Sequence, residues 1–260
     1  MKQNTGTLGK IYIGVILALI YLPIILVVIY SFNDSKSSAQ WMGFTLEWYE
    51  KLFKGGRFNS ALINSIVVAI LSVLCAAIIG TCAAVGTASR EFRTKGLFES
   101  LSMLPIMIPE IILGIALLSV FSFAKIPPGL LAITLSHITF CIPYVYIVVK
   151  SRLSGIDKSV IEAARDLGAT KGYAFLSVTV PLLAPAIGGG CLLAFAMSFD
   201  DVVISFFLTA PGADMLPVKV FSSLKLGITP EINALFTLML LTLIGVLIIS
   251  SLLGKLKKNR

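Results

Sequence analysis

Six stretches of about 20 or more predominantly apolar residues constrain the fold of this chain more than any other feature. An α-helix rises about 1.5 Å per residue, so about 20 residues cross the roughly 30 Å hydrocarbon core of a bilayer. Backbone groups in that core must pair within their own segment, which favours helices. The predicted spans are residues 11–31, 61–88, 97–123, 129–150, 182–208 and 232–254. The sequence therefore predicts an all-α integral membrane protein, with a single transmembrane domain over residues 1–260.

The composition agrees with a membrane protein and argues against a soluble or nucleic-acid-binding one. Of the 260 residues, 57% are hydrophobic and only 13% are charged, with a mean hydropathy of +0.96. A soluble domain carries about a quarter charged residues. The net charge of +8 comes from basic residues clustered at span ends, without a basic face interleaved with aromatic residues. We therefore expect a lipid bilayer around the chain and no nucleic-acid partner.

The cysteine and histidine residues predict packing positions and no metal site. The cysteines are Cys75, Cys82, Cys141 and Cys191, and each lies within an apolar run. None forms a CxxC pair, and the single histidine, His137, cannot complete a zinc site with the usual ligand spacing. No acid lies three or four residues from His137, so we expect a hydrogen-bonded bundle residue and not a proton relay.

The distribution of lysine and arginine predicts that both termini lie in the cytoplasm. The termini and connections fall into two alternating sets, one with 14 basic residues and the other with seven. The richer set includes both termini and the polar connection between the fourth and fifth spans. By the positive-inside rule these segments are cytoplasmic, which leaves the long connections at 32–60 and 209–231 on the outer side.

A short polar helix is predicted in the connection between the fourth and fifth spans, at about residues 157–168. Asp157 is a favourable N-cap, and Gly168 stands where a left-handed residue ends a helix. Such a helix covers only ~15 Å, too short to cross a bilayer. Two interpretations fit: a helix lying in the lipid interface, or a helix bound in the groove of a partner protein. The mixed charges and the lack of Trp or Phe within the helix favour the groove.

The sequence of this connection resembles the EAA loop of ABC-importer permeases. The residues that match the family pattern at full spacing are Glu162, Ala163, Ala164, Gly168 and Pro181. Val178 and Val180 stand where the family has isoleucine and leucine, which conserves shape. The resemblance implies a coupling helix that docks into a separate ATPase subunit. The chain contains no GxxxxGK[ST] motif, so we expect no P-loop ATP binding, no enzymatic activity and no cofactor here. ATP and Mg²⁺ would be used by the partner ATPase.

Four further segments resemble the spermidine/putrescine permeases of the PotC type, which have the MetI-like fold. They are YSFND at 30–34, SHITFCIPYV at 136–145, SFDDVVISFFLTAP at 198–211 and ITPEINA at 228–234. The resemblance implies a six-helix, multi-pass permease in a bacterial plasma (inner) membrane. The implied partners are a second homologous permease, an ATPase dimer and an extracytoplasmic polyamine-binding protein. The implied function is ATP-driven import of polyamines.

Three acidic residues lie in predicted spans, where charge is costly: Glu110, Asp200 and Asp201. Glu110 lies near the middle of its span, and Pro105 and Pro109 before it predict a broken helix. Asp200 and Asp201 lie towards the outer end of their span. Because successive carboxylates between apolar walls suit the spaced ammonium groups of a polyamine, we predict a cationic path. Alternatives are protonated carboxyls bonded to Ser or Thr, or ion pairs with the partner permease.

Ser198 and Trp48 complete the predicted substrate path. Ser198 shares a helical face with Asp201, Gly190 and Ala194, and this face of small residues is expected to point into the bundle. Trp48 lies in the outer connection, where it would either offer a cation–π face to an arriving amine or anchor the interface. A second row of small residues, which predicts ordinary helix packing, is Ala76, Gly80, Ala84 and Ala88.

Two other functions remain open from the sequence. The same importer architecture would serve another small solute, such as an amino acid or a cation. A self-sufficient secondary transporter or channel would use the intramembrane acids to bind protons or sodium. That second possibility leaves the EAA segment without a purpose.

Overall fold

The computed structural model describes residues 7–35, 40–89, 92–225, 227 and 229–258. Some residues used above, in the count of basic residues or in the comparison with the permease family, lie outside the described ones. They are Lys2, Lys36, Arg90, Ile228 and Arg260. Contacts divide the chain into two compact units, residues 1–59 with 222–260 and residues 60–221. The single domain predicted over the whole chain stays a prediction.

Twelve α-helices and one π-helical turn form the regular structure of the described residues. In order they are α1 (Thr7–Tyr30), α2 (Glu47–Phe53), α3 (Asn59–Ser89), α4 (Lys95–Met107), α5 (Glu110–Phe123), α6 (Leu130–Leu153), α7 (Lys158–Asp166), α8 (Lys171–Ala174), the π-turn (Phe175–Thr179), α9 (Val180–Phe199), α10 (Val203–Leu208), α11 (Leu216–Leu224) and α12 (Pro230–Lys258). The one bridge of β type in the described chain joins Asn33 and Phe44. The all-α prediction is confirmed.

The first unit contains α1, α2, α12 and a folded connection between α1 and α2. Helix α12 packs against both α1 and α2. The apolar window of α1 has no buried residue, as expected of a helix that faces lipid or another subunit. The connection after α1 is organised by Asn33, whose side-chain amide donates to the Gln40 carbonyl at 2.7 Å and accepts from the Met42 backbone N–H at 2.8 Å.

Helix α6 is the centre of the second unit. Helices α4, α9 and α10 pack against it, and α5 packs against α10. Its buried side chains include Ile133 and Tyr146, and the Tyr146 hydroxyl lies 3.2 Å from the Thr87 hydroxyl of α3. The core is therefore built around one helix that the connection of residues 154–170 joins to α9.

Two glycines bring neighbouring helices very close to α6 near Val145. A Cβ atom at Gly80 would lie 3.0 Å from the Ile142 carbonyl oxygen and 3.0 Å from Val145 Cβ. A Cβ atom at Gly190 would lie 3.1 Å from Val145 Cα. Helices α3 and α9 thus both approach the α6 backbone where they carry no side chain. The prediction that the rows of small residues serve helix packing is confirmed at these positions.

Four helices are long and apolar enough to cross a membrane by length and composition. They are Leu8–Tyr30, Asn59–Ala88, Leu130–Leu153 and Lys171–Phe199. Helices α4 and α5, which are bent by 108° at their junction, would form a fifth crossing as one broken span. This bend confirms the break predicted before Glu110. Among the described residues, α12 offers a shorter apolar segment, Pro230–Thr242, so the span at 232–254 and the count of six stay predictions.

The helix at the predicted fifth span, residues 182–208, differs from that range at both ends. Its helix already begins at Lys171 and ends at Phe199, and residues 200–202 separate it from α10. Near its start, Pro181 has no N–H to give to the carbonyl four residues earlier, and the helix widens into the π-turn there. At its end, the Asp201 carboxylate binds the N–H groups that begin α10. Hydropathy alone predicts neither the π-turn near the start of this helix nor its end at Phe199.

Candidate functional site

The predicted coupling helix forms with the predicted caps. Helix α7 spans Lys158–Asp166, and the Asp157 carboxylate accepts a hydrogen bond from the Ser159 backbone N–H at 2.9 Å. This bond holds the pKa of Asp157 below its ordinary value, because it favours the ionised carboxylate. At the other end, Gly168 has a φ of +91°, the left-handed conformation that ends a helix and favours glycine.

One side of α7 packs on its own unit while much of the rest is exposed. Ile161 and Ala164 are half-buried where α7 contacts α8 and the π-turn. Leu167 is 90% exposed and Val160 is 46% exposed. Of the residues predicted to couple to an ATPase, Glu162, Ala163, Gly168 and Pro181 are exposed as well. An amphipathic helix with a free apolar residue suits a partner's groove or the lipid interface.

Glu110 stands at the break between α4 and α5. It is the first residue of α5, where a negative charge is favoured by the helix dipole. The preceding Pro109 is extended, with φ of −53° and ψ of 132°, which turns the chain between the two helices. The Glu110 side chain is exposed and has no hydrogen bond or ion pair among the described residues. A carboxylate so placed is free to meet a cation.

Asp200 and Asp201 differ sharply in their surroundings, although they are adjacent. The Asp200 side chain is exposed and makes no hydrogen bond or ion pair among the described residues, while its backbone N–H donates to the Ala196 carbonyl at 3.1 Å. Asp201 is 8% exposed and accepts hydrogen bonds from the backbone N–H groups of Ile204 at 3.2 Å and Ser205 at 2.7 Å. The expectation that the face carrying Asp201 points into the bundle is confirmed, and the Asp201 carboxylate satisfies donors of the first turn of α10 from the position before its N-cap, Val202.

His137 is a partner of Asp201 that the sequence did not reveal. Its Nδ1 lies 2.7 Å from Ser198 Oγ, which confirms the expected hydrogen-bonded bundle residue. Its Nε2 lies 3.4 Å from the Asp201 carboxylate, which is the nearby acid missing from the helical neighbours of His137. The role of the aspartate at the start of α10 could have been recognised, because an acid just before an apolar helix can accept the unpaired N–H groups of its first turn. The histidine contact could not, because it joins segments far apart in the chain.

Trp48 lies in the first unit, where nearby residues of the same connection contact its indole ring. Its Nε1–H donates to the Asn33 carbonyl oxygen at 2.8 Å. The Lys51 ammonium lies 4.6 Å from the centroid of the indole ring and 2.5 Å from the Glu47 carboxylate. A lysine of the same helix thus already makes a cation–π contact with this ring. A place for Trp48 in the substrate path stays a prediction.

Two acids of the connection at residues 32–60, Glu47 and Glu50, are paired, unlike Glu110 and Asp200. A cleft of about 470 Å³ in the first unit is lined by Glu47, Glu50, Lys51, Lys54, Gly55, Gly56, Arg57 and Glu231. Glu47 binds Lys51 and Glu50 binds Lys54, each at 2.5 Å and each one helical turn apart. Such exposed pairs contribute little stability. No group of three His, Cys, Asp or Glu side chains among the described residues is arranged to hold a metal ion.

Relatives with assigned transport roles cover nearly the whole chain. The chain is 36% identical over 248 residues to the spermidine/putrescine transport system permease protein PotC of Haemophilus influenzae, covering 95% of this chain and 96% of that protein. It is 42% identical over 228 residues to the putrescine transport system permease protein PotI of Escherichia coli K12, covering 85% of this chain and 81% of that protein.

Solved structures support the fold, and a family match covers most of the chain. A bacterial ABC transporter involved in the import of the acidic polysaccharide alginate matches with a TM-score of 0.74 and 17% identity, over 98% of each chain. At this identity the likeness concerns the fold alone. Residues 76–258 match the family described as "Binding-protein-dependent transport system inner membrane component". The chain therefore belongs to this family of ABC-importer permeases, which are membrane components of transport systems and not enzymes.

Proposed function

We propose that this chain is a permease subunit of an ATP-driven importer of polyamines such as spermidine and putrescine. The observation that carries the proposal is the position of Glu110 and Asp200, each exposed at a break between apolar helices and unpaired among the described residues. The names of the relatives, spermidine/putrescine permease and putrescine permease, support the same substrates.

Unpaired carboxylates between apolar helices favour a polycation over other solutes. An ionised acid within a span is costly unless it faces water or a cation. A polyamine carries several ammonium groups joined by methylene spacers, so its charges suit the carboxylates and its spacers suit the apolar walls. Anionic solutes would be repelled by the same groups. Asp201, Ser198 and Trp48 remain predicted members of the path.

Energy for transport would enter through α7. In this proposal an ATPase dimer holds Glu162, Ala163 and Ala164 in a groove, with Gly168 and Pro181 fixing the direction of the chain behind them. The exposed Leu167 and the small Ala163 support close contact with another protein. ATP and Mg²⁺ would be bound by that ATPase, and this chain would bind no cofactor.

The complete importer would contain further subunits in a bacterial inner membrane. The family description, which names a binding-protein-dependent system and an inner membrane component, supports a solute-binding protein outside the membrane. A second homologous permease would complete the substrate path. We infer six spans with both termini in the cytoplasm, which would place α7 on the side of the ATPase.

Uptake by the assembled importer tests the substrate. Proteoliposomes with the two permeases, the ATPase and the binding protein are expected to accumulate labelled spermidine or putrescine only when ATP is inside. Glu110→Gln and Asp200→Asn are each expected to reduce uptake at least about 10-fold, because each removes one charge–charge contact. Asp214→Asn is the matched control, since Asp214 is not among the predicted path residues and its carboxylate lies 3.2 Å from the Lys219 ammonium. Wild-type uptake by both path variants, or uptake of amino acids in place of polyamines, would refute the proposal.

Co-purification of the ATPase tests the coupling helix. Ala163→Trp is expected to prevent retention of the ATPase, because an indole in place of a methyl group blocks close approach to a groove. Ala124→Trp makes the same change at an exposed position at the end of α5 and is expected to retain the ATPase. Equal retention by both variants would contradict docking through α7.

A further inference from the structure

A buried polar cluster of His137, Ser198, Asp201 and Ser205 joins three helices of the second unit. His137 belongs to α6, Ser198 to α9 and Ser205 to α10, and all three side chains are fully buried. His137 Nδ1 lies 2.7 Å from Ser198 Oγ, while Nε2 lies 3.2 Å from Ser205 Oγ and 3.4 Å from Asp201 Oδ2. Polar groups buried in this way form connected networks that specify one local arrangement.

The buried polar cluster ties down both sides of the break at residues 200–202. On one side Ser198, near the end of α9, is bound to the imidazole. On the other side the Asp201 carboxylate accepts the N–H groups of Ile204 and Ser205, and so holds the first turn of α10. The same imidazole contacts that carboxylate. One side chain of α6 therefore sets the path of the backbone on either side of Asp200.

We propose that His137 is a positioning residue for polyamine import, which holds Asp201 inside the protein so that the break presents Asp200 to the solute. The inference rests on the proposed function, in which Asp200 meets an ammonium group. His137 is fully buried and touches no solute itself. The adjacent acids thus divide two tasks: Asp201 shapes the backbone, and Asp200 faces outward.

The chemistry of the contacts defines which substitutions can replace His137. With a proton on Nε2, the ring donates towards the Asp201 carboxylate, and the Ser198 hydroxyl donates to the free Nδ1. The side-chain nitrogen of glutamine approximates Nε2, whereas that of asparagine reaches only the position of Nδ1. Leucine fills similar space with neither contact. Glutamine is therefore the conservative replacement, and asparagine and leucine are the disruptive ones.

Uptake kinetics of the assembled importer in proteoliposomes give the first test. His137→Leu and His137→Asn are expected to raise the KM for spermidine at least about 10-fold, with a smaller change in the maximal rate, because Asp200 is misplaced while coupling persists. His137→Gln is expected to stay within about threefold of the wild-type KM. Ser136→Ala is the control, since Ser136 is equally buried on α6 but its hydroxyl, among the described residues, bonds only to the Ala132 carbonyl of its own helix.

The pattern across these variants decides between positioning and mere stability. A wild-type KM in His137→Leu would overturn the proposal, and so would a KM in His137→Gln as high as in His137→Leu. A fall in the maximal rate at constant KM in all three variants would also overturn it, because that is the signature of fewer intact transporters. If His137→Leu does not assemble, the comparison of glutamine with asparagine carries the test.

A labelling experiment tests the same proposal without any polyamine. Asp200→Cys is introduced into the assembled complex after the four native cysteines of this chain are replaced by alanine, and its reaction rate with a membrane-impermeant, positively charged methanethiosulfonate is measured. Adding His137→Leu is expected to slow labelling at least about threefold, because a released Asp201 turns towards water and residue 200 turns inward. Adding His137→Gln is expected to leave the rate unchanged.

Two results of this experiment have separate meanings. An unchanged rate with His137→Leu would refute positioning even if polyamine transport is confirmed. A slowed rate, if the importer with Asp200 intact transports no polyamine, would refute the proposed function while supporting the role of His137. The two proposals can therefore fail independently.

Discussion

Replacing Gly80 with alanine is expected to destabilise the protein, although alanine is the better helix former. Gly80 lies inside α3 at the point where that helix approaches α6. The added Cβ would lie 3.0 Å from the Ile142 carbonyl oxygen, 3.0 Å from Val145 Cβ and 3.2 Å from the Tyr146 nitrogen. Two of these three atoms belong to the backbone of α6, so no rotamer change can relieve the contact. The two helices must move apart.

The size of the effect follows from two opposing terms. Alanine is favoured over glycine inside a helix by about 0.5–1 kcal/mol. Overpacking against a close-packed neighbour costs about 1–3 kcal/mol. The net loss at Gly80 is therefore up to about 2.5 kcal/mol, since the two terms partly cancel. Gly86 is the matched control on the same helix, because a Cβ there would meet no atom within 4 Å. Gly86→Ala should therefore stabilise the protein by the helix preference of alanine alone, without a packing cost.

The measurement compares melting temperatures of the detergent-purified complex carrying either substitution. The two variants should differ by about 1–3 kcal/mol, which corresponds to about 2–12 °C for a domain of this size. One heating rate must be used throughout, because membrane complexes unfold irreversibly and the apparent midpoint depends on the rate. A Gly80→Ala complex that melts at or above the Gly86→Ala complex would refute the close packing of α3 on α6.

Two further substitutions and one pH dependence follow from the helix ends. Asp157→Ala is expected to weaken α7 and retention of the ATPase, whereas Asp157→Ser should preserve both because serine also caps a helix; equal retention would contradict this. Because the folded pKa of Asp157 is lowered, its cap is fully present above the ordinary pKa and is lost as the pH falls through the folded value. Retention should therefore be constant at neutral pH and decline only below about pH 4, and a decline between pH 8 and 6 would argue against the cap. Lys125→Gly is expected to raise the melting temperature, because Lys125 has φ of +58°, a conformation that costs a residue with a side chain about 1–2 kcal/mol. An unchanged or lower midpoint would count against strain at Lys125.

Features set by neighbouring residues could be predicted from the sequence. The caps of α7 follow from Asp157 and Gly168, whose types determine local backbone geometry. The break before Glu110 follows from Pro109, which cannot continue a helix hydrogen-bond ladder. The close packing at Gly80 follows from the spacing of small residues on one face. In each case the physical cause lies within a few residues of its effect.

Features set by distant residues could not be predicted. The fifth span was expected to run to residue 208 because residues 182–208 are apolar throughout, apart from the two acids. The helix ends at Phe199 because the Asp201 carboxylate binds the backbone N–H groups of the next helix, α10. His137, on another helix, holds this carboxylate in place. Hydropathy measures the cost of leaving lipid, and it contains no information about such a contact.

The two helix breaks meet one physical requirement with different residues. In a membrane interior each unpaired backbone N–H costs several kcal/mol, so an interrupted span must satisfy or remove the donors that begin its next helix. Before α5, Pro109 has no N–H and removes one such donor. Before α10, Asp201 accepts the N–H groups of Ile204 and Ser205 instead. An acid used in this way has few lone pairs left for a solute. In the proposed cation path, a break without proline therefore needs a second acid to attract a cation: Glu110 stands alone after Pro109, whereas Asp200 is followed by Asp201.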